Sequence, residues 1–146
     1  MMARGGAVLG GAILAALAVA CARATPAGPV QVLDAWARPA DSGATGGVYL
    51  VLKNTDTATL HITSFKTPIS TSTEAHETML HGDMATMDIR TELVIAKGAT
   101  LTMKPGGTHL MLMHLTRRLT RRDTVPVTLR FADGRVFVAT AHVRTP

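Results

Sequence analysis

The sequence predicts an all-β fold, specifically a β-sandwich of about nine short strands. From Val30 onward, apolar and polar residues alternate with a period of two rather than 3.6. Turn-forming residues recur at close intervals, as in Asp41-Ser42-Gly43 and Pro105-Gly106-Gly107. No stretch of this region shows convincing helical periodicity. The strands are predicted, in chain order, at residues 30–37, 47–54, 58–65, 72–80, 84–90, 98–103, 108–115, 126–132 and 135–143.

The last two predicted strands are joined by the strongest turn signal in the chain. Asp133-Gly134 is typical of a two-residue hairpin loop. Such a loop would pair Phe131 with Val136 and, two positions further on, Leu129 with Val138.

The N-terminal segment is expected to lie outside this fold. Its apolar stretch from Ala7 to Ala20 is shorter than the roughly 20 residues of a membrane span, but it suits a secretory leader. We therefore assign residues 1–21 to a signal peptide, 22–29 to a flexible lead-in and 30–146 to the domain. This assignment predicts an exported, periplasmic protein.

The single cysteine, Cys21, allows two interpretations. The preceding Ala18-Val19-Ala20 fits a signal peptidase site, but it also resembles an imperfect lipobox. In the second case Cys21 would carry a lipid and anchor the protein to a membrane. Neither interpretation gives an intrachain disulfide, because there is no second cysteine.

The strongest functional signal is a cluster of methionine and histidine. Beyond the N-terminal Met1 and Met2, every methionine lies between Met79 and Met113, and four of the six histidines lie in nearly the same window. Thioether sulfur is a soft ligand, and imidazole suits copper as well as zinc. Because the cluster has no cysteine and few carboxylates, it favours copper, and Cu(I) in particular, over calcium, magnesium or manganese.

Strand geometry predicts which of these side chains meet. If His81-Gly82 is the centre of a hairpin turn, His76 lies opposite Met87, and Met79 lies opposite Met84 on the other face. In the second segment His109 and Met111 share a strand face, and Leu110 points to the core. The Pro-Gly-Gly turn before this segment would place His109 at an exposed strand end. The predicted ligands, called the His2Met2 set below, are His76, Met87, His109 and Met111.

Other members of the cluster have ordinary explanations. Met113 shares the face of His109, so it either lines the site or packs beneath it. For the rest, we expect core packing at Met79, Met84 and Met103 and surface positions at His61, His81, His114 and His142.

The spacing of the His2Met2 set matches a known family. Ten residues separate His76 from Met87, twenty-one separate Met87 from His109, and one separates His109 from Met111. This His-x10-Met-x21-His-x-Met pattern resembles the signature of the PCuAC family, periplasmic Cu(I) chaperones that supply the CuA centre of cytochrome c oxidase. The resemblance covers residues 30–143 and includes Trp36-Ala-Arg38-Pro39, Gly46-Gly47-Val48-Tyr49, Lys104-Pro-Gly-Gly107 and Asp123-Thr-Val-Pro126.

The resemblance implies a cupredoxin-like β-sandwich of Greek-key type with one surface Cu(I) bound by the His2Met2 set. It also implies transfer of that copper to an accepting protein, such as cytochrome c oxidase subunit II or another assembly chaperone. One departure is His114, where a small residue is expected, and it could serve as an alternative ligand.

Rival functions are only partly excluded. A blue-copper electron-transfer protein needs a cysteine thiolate in the site, and Cys21 lies far from the cluster in sequence. No general base or nucleophile constellation accompanies the cluster, so we do not expect an enzyme. General periplasmic copper scavenging would use the same ligands, and a metal-free interaction module stays open. The net charge of +5 includes a basic run at residues 117–122, but one Trp, one Tyr and three Phe offer little stacking surface for nucleic acid.

Overall fold

A computed structural model describes residues 28–146, and the predicted signal peptide, Cys21 and most of the lead-in lie outside this range. The described residues contain no helix that could cross a membrane. They form ten strands: β1 (Val30–Ala37), β2 (Gly46–Asn54), β3 (Leu60–Lys66), β4 (Ser70–His81), β5 (Met84–Arg90), β6 (Leu93–Ile95), β7 (Thr100–Thr102), β8 (Thr108–Leu115), β9 (Thr124–Phe131) and β10 (Val136–Val143).

The ten strands belong to one strongly curled sheet. Its order is β5-β4-β8-β2-β1-β10-β9-β3-β6, and β7 pairs with β2 at the side. Strands β3 and β4 are far apart in this order but contact each other, as do β6 and β7. The sheet therefore folds back on itself around a single core, which confirms the predicted all-β sandwich.

The core is built from the inward-facing residues of alternating strands. In β8, Leu110 and Leu112 are fully buried, whereas Met111 between them points to the other face. Leu50 in β2 and Leu129 in β9 are likewise fully buried. Each such leucine contributes roughly 1.5–3 kcal/mol to folding relative to an exposed one. This burial fixes which face of each strand can carry a surface site.

Every predicted strand is present, with end positions shifted by a few residues, but β6 was not predicted. It contains only Leu93, Val94 and Ile95, and it pairs with β3. Three residues are too few to show a period, so this strand depends on its partner for its identity.

The predicted register of the β9–β10 hairpin is wrong by one residue. Leu129 pairs with Phe137 and Arg130 with Val136. The loop has three residues and ends at Gly134, whose φ is +88°. A turn followed by glycine in this left-handed conformation is a common three-residue hairpin loop. The shift places Phe137 and Ala139 against the core and leaves Val136 and Val138 about half exposed.

The predicted register of the β4–β5 hairpin is wrong by two residues. The loop is Gly82-Asp83, and the closing pair is His81 and Met84. Gly82 has φ of +63°, which suits the first central position of a two-residue turn. A turn centred on His81-Gly82 would instead have required the left-handed conformation at His81, which costs energy in any residue with a Cβ.

Candidate metal centre

Two histidines face each other across neighbouring strands. The register of β4 and β8 places His76 directly opposite His109, and their ring centroids are 6.0 Å apart. In the same register Met111 lies opposite Glu74, so Met111 is diagonal to His76 on the same face. Three members of the His2Met2 set therefore lie together on the outer face of the sheet.

Met87 reaches the same face from the edge strand β5. It lies opposite Thr78, and His76 lies opposite Ile89. The two-residue register shift preserves the face, because side chains alternate with a period of two. His76 and Met87 are thus diagonal neighbours, at about 7–8 Å between Cβ atoms. The Met87 side chain is 58% exposed.

His109 is held in one orientation. Its Nδ1–H donates a hydrogen bond to the carbonyl oxygen of Gly107 at 2.9 Å. That bond leaves Nε2 as the unprotonated nitrogen, which is the form that binds a metal. His109 is only 8% exposed. The expectation of an exposed strand end was wrong, because the Tyr49 ring covers this side, with its centroid 6.4 Å from that of His109.

His76 has a carboxylate partner on one nitrogen and none on the other. Its Nε2–H donates to an oxygen of Glu74 at 2.9 Å, while Nδ1 is buried without a hydrogen-bond partner. A buried unpaired nitrogen costs about 1–3 kcal/mol. A metal ion at Nδ1 would relieve that cost, and a carboxylate on the second nitrogen is the usual support of a metal-bound histidine. The donor set and this vacant lone pair fit a soft cation.

An aromatic row continues from the site across the sheet. Trp36 stacks on Tyr49 with centroids 4.4 Å apart. The guanidinium of Arg38 lies over Tyr49 and that of Arg144 lies over Trp36. Gly47 makes room for this row, since a Cβ there would lie 3.1 Å from the Tyr49 hydroxyl. The row flanks the site on the side of His109, whereas the exposed Met87 lies on the edge strand β5 at the other side.

The remaining cluster members divide into packing and surface residues. Met103 is 2% exposed, which confirms core packing, but Met84 is 70% exposed, so packing was a wrong prediction there. Met79 is intermediate, and Met113 is half-buried opposite Ser72, on the face of the site. Surface positions are confirmed for His61, His81, His114 and His142.

The basic run at residues 117–122 lies away from the site and is partly neutralised. Arg117 pairs with Asp123 at 3.0 Å, and Arg118 pairs with Asp41 at 3.1 Å. The backbone N–H and hydroxyl of Thr120, together with Arg117, hold the pKa of Asp123 below its usual value. The acidic partners reduce the attraction that this run could offer to an anionic ligand.

Sequence reasoning missed two residues at the site. Glu74 precedes His76 by two positions, so strand alternation alone places it on the same face. Tyr49 belongs to the Gly-Gly-Val-Tyr motif, but its contact with His109 depends on the pairing of β2 with β8. The signal for Glu74 was therefore present in the sequence, whereas that for Tyr49 required the topology.

Comparison with known proteins identifies the family. Residues 30–143 match the family model described as "Putative lipoprotein LpqE-like". The chain belongs to the LpqE-like family. A curated relative of this LpqE-like chain, "Putative lipoprotein Lxx21020" of Leifsonia xyli subsp. xyli (strain CTCB07), is 37% identical over 106 residues. That alignment covers 72% of this chain and 63% of the relative, so the chain spans less than two thirds of the relative's length.

Solved structures similar to this LpqE-like chain include PCuAC domains. Cu(I)-bound DR1885 from Deinococcus radiodurans is 31% identical, with a TM-score of 0.61 over 86% of this chain and 83% of that one. The copper-bound PCuAC domain of PmoF2 is 18% identical, with a TM-score of 0.65 over 82% and 95%. The second likeness concerns the fold alone. Together they confirm the resemblance to the PCuAC family and the cupredoxin-like sandwich.

Proposed function

We propose that this protein is an exported copper chaperone that binds one Cu(I) through the His2Met2 set and passes it to a cuproprotein by ligand exchange. The observation that carries the proposal is the strand register, which brings His76 and His109 face to face and places Met87 and Met111 beside them. The likeness to Cu(I)-bound DR1885 supports copper as the cargo.

The chemistry of the four donors suits Cu(I) in an oxidising compartment. Thioethers and imidazoles are soft or borderline neutral ligands, and none of them forms a disulfide. His109 is anchored and buried, whereas Met87 is largely exposed. We therefore expect Met87 to be the first ligand displaced when an acceptor approaches from the β5 edge.

The proposed acceptor is the CuA centre of cytochrome c oxidase subunit II, or an assembly chaperone that serves it. Support comes from the resemblance of the His-x10-Met-x21-His-x-Met pattern to that of the PCuAC family. Export is supported by the N-terminal apolar stretch and by relatives named as lipoproteins. Attachment through a lipid on Cys21 is the corresponding proposal for its membrane contact.

A Cu(I) competition titration against a chromophoric chelator tests the site. Met87→Leu and Met111→Leu remove the sulfur but keep a similar volume, so the fold should survive. Met103→Leu is the matched control, since Met103 is buried in the core. We expect one tight Cu(I) in the wild type and the control, and weaker binding in both site variants. If the wild type does not compete with the chelator, the chaperone proposal fails.

A transfer assay separates delivery from scavenging. Two equivalents of the Cu(I)-loaded protein are mixed with the copper-free soluble domain of a cytochrome c oxidase subunit II. Ferricyanide then oxidises the transferred copper pair by one electron, and the absorption of the resulting mixed-valence CuA centre is measured. A Met87→Leu variant loaded to the same level should still transfer its copper, because Met87 is the ligand expected to leave first. Loss of transfer in this variant would contradict that order. Retention of all copper by the chaperone would favour scavenging.

A further inference from the structure

A second group of soft donors lies at the end of the β4–β5 hairpin, on the face opposite the His2Met2 set. Side-chain alternation places Met79 and His81 on this face of β4 and Met84 on the same face of β5. We call these three residues the tip triad. None of them belongs to the site described above.

The tip triad is accessible because the hairpin extends beyond the body of the sheet. Strand β8 pairs with β4 only as far as Glu77, opposite Thr108. From Met79 onward, β4 pairs with β5 alone, and Met79 itself is half-buried. Met84 is 70% exposed and His81 is exposed. A thioether this exposed does not serve core packing, which was its expected role.

The register brings the three donors within reach of one ion. His81 and Met84 are directly paired, which puts their Cβ atoms about 4.5–5.5 Å apart. Met79 lies two steps of about 3.3 Å from His81 along the strand. It is also diagonal to Met84, at about 7–8 Å between Cβ atoms. The flexible thioether side chains can close these distances around a small cation.

The charge around the tip also suits a cation. Asp83 forms the loop beside Gly82, and Asp88 shares the face of Met84. Arg90, on the same face of β5, is paired with Glu77. Two carboxylates therefore stand near the triad without forming part of it.

We propose that the tip triad is a second, weaker Cu(I) site, which binds copper through two thioethers and one imidazole. This second-site proposal rests on the proposed function, because it takes Cu(I) as the cargo. Three donors on an exposed ribbon bind less tightly than four donors of which one is buried. The tip site is therefore filled after the first and offers copper to a partner before the His2Met2 set is disturbed.

Methionine methyl NMR with Cu(I) as the titrant tests the two sites separately. The chain has eight methionines, so ¹³C-methyl labelling gives few and assignable signals. We expect the first equivalent of Cu(I) to shift the methyls of Met87 and Met111, and the second to shift those of Met79 and Met84. A double variant, His81→Ala with Met84→Leu, should lose the second equivalent and keep the affinity of the first within about twofold.

The matched control is Leu80→Ala, which alters an exposed side chain on the other face of the same ribbon. It should bind both equivalents. Methyls of Met79 and Met84 that do not move at two equivalents would overturn the proposal. Movement of all four methyls with the first equivalent, followed by saturation, would also overturn it. Movement of Met79 and Met84 alone would support the tip site and refute the proposed function instead.

Discussion

Replacing Glu74 by glutamine tests how His76 would hold copper. Glu74 accepts a hydrogen bond from Nε2–H of His76, so the structure leaves Nδ1 as the metal-binding atom. Glutamine keeps the size of the side chain and the possibility of a hydrogen bond, but it removes the negative charge. The variant therefore isolates the electrostatic support of the imidazole from the packing around it.

The expected loss follows from the position of this carboxylate. Changing the outer partner of a metal-bound histidine usually costs 10–100-fold in metal affinity. The Glu74 side chain is 37% exposed and that of His76 is 12% exposed, so solvent screens part of the interaction. We expect a loss near the lower limit, about tenfold, which corresponds to about 1.4 kcal/mol.

The assay is the same chelator competition, run on Glu74→Gln beside the wild type, with Glu92→Gln as the matched control. Glu92 accepts a comparable hydrogen bond from His61, on the far side of the sheet order. An unchanged affinity in Glu74→Gln would show that the carboxylate does not orient the ligand. A tighter affinity would refute the reasoning more sharply, because Glu74 would then be competing with copper for Nε2.

Further predictions concern the framework around the site. Leu112 is fully buried beside Met111 and Met113, so Leu112→Ala should lower the free energy of unfolding by about 2–5 kcal/mol, as measured by urea denaturation. The folded variant should still bind the same number of Cu(I) ions in a titration. Gly134→Ala places a Cβ at φ of +88° and should cost about 1–2 kcal/mol in the same denaturation assay; no loss would contradict the loop assignment. Because the pKa of Asp123 is lowered in the folded state, its contribution is present above the unfolded value of about 3.9 and disappears as pH falls through the folded value. Asp123→Asn should therefore lower the stability at pH 7 and make the stability depend less on acid pH. Urea denaturation at pH 7 and at a pH below the unfolded value of Asp123 would check both effects.

The sequence was sufficient to predict the face of each proposed ligand but not its neighbours. An error of two residues in the β4–β5 register left His76 and Met87 on one face, because the period of a strand is two. An error of one residue at the β9–β10 hairpin reversed the faces of Val136 and Val138. Turn geometry decided both cases, through the single residue that could adopt a positive φ.

Features that depend on distant parts of the chain could not be read in advance. The burial of His109 depends on Tyr49, more than fifty residues earlier in the chain. The identity of β6 depends on pairing with β3. The hydrogen bond that selects the nitrogen of His109 depends on how the turn at Gly107 closes. Each needs the folded topology, whereas ligand type and spacing are local.

The stack of Trp36 on Tyr49 has a practical consequence. Trp36 is the only tryptophan in the chain, and it lies one aromatic ring away from His109. Light emitted by the indole therefore comes from a single known place next to the histidine pair. We expect this emission to change when a metal binds, so that metal arrival and departure can be timed in an unlabelled sample by stopped-flow fluorescence.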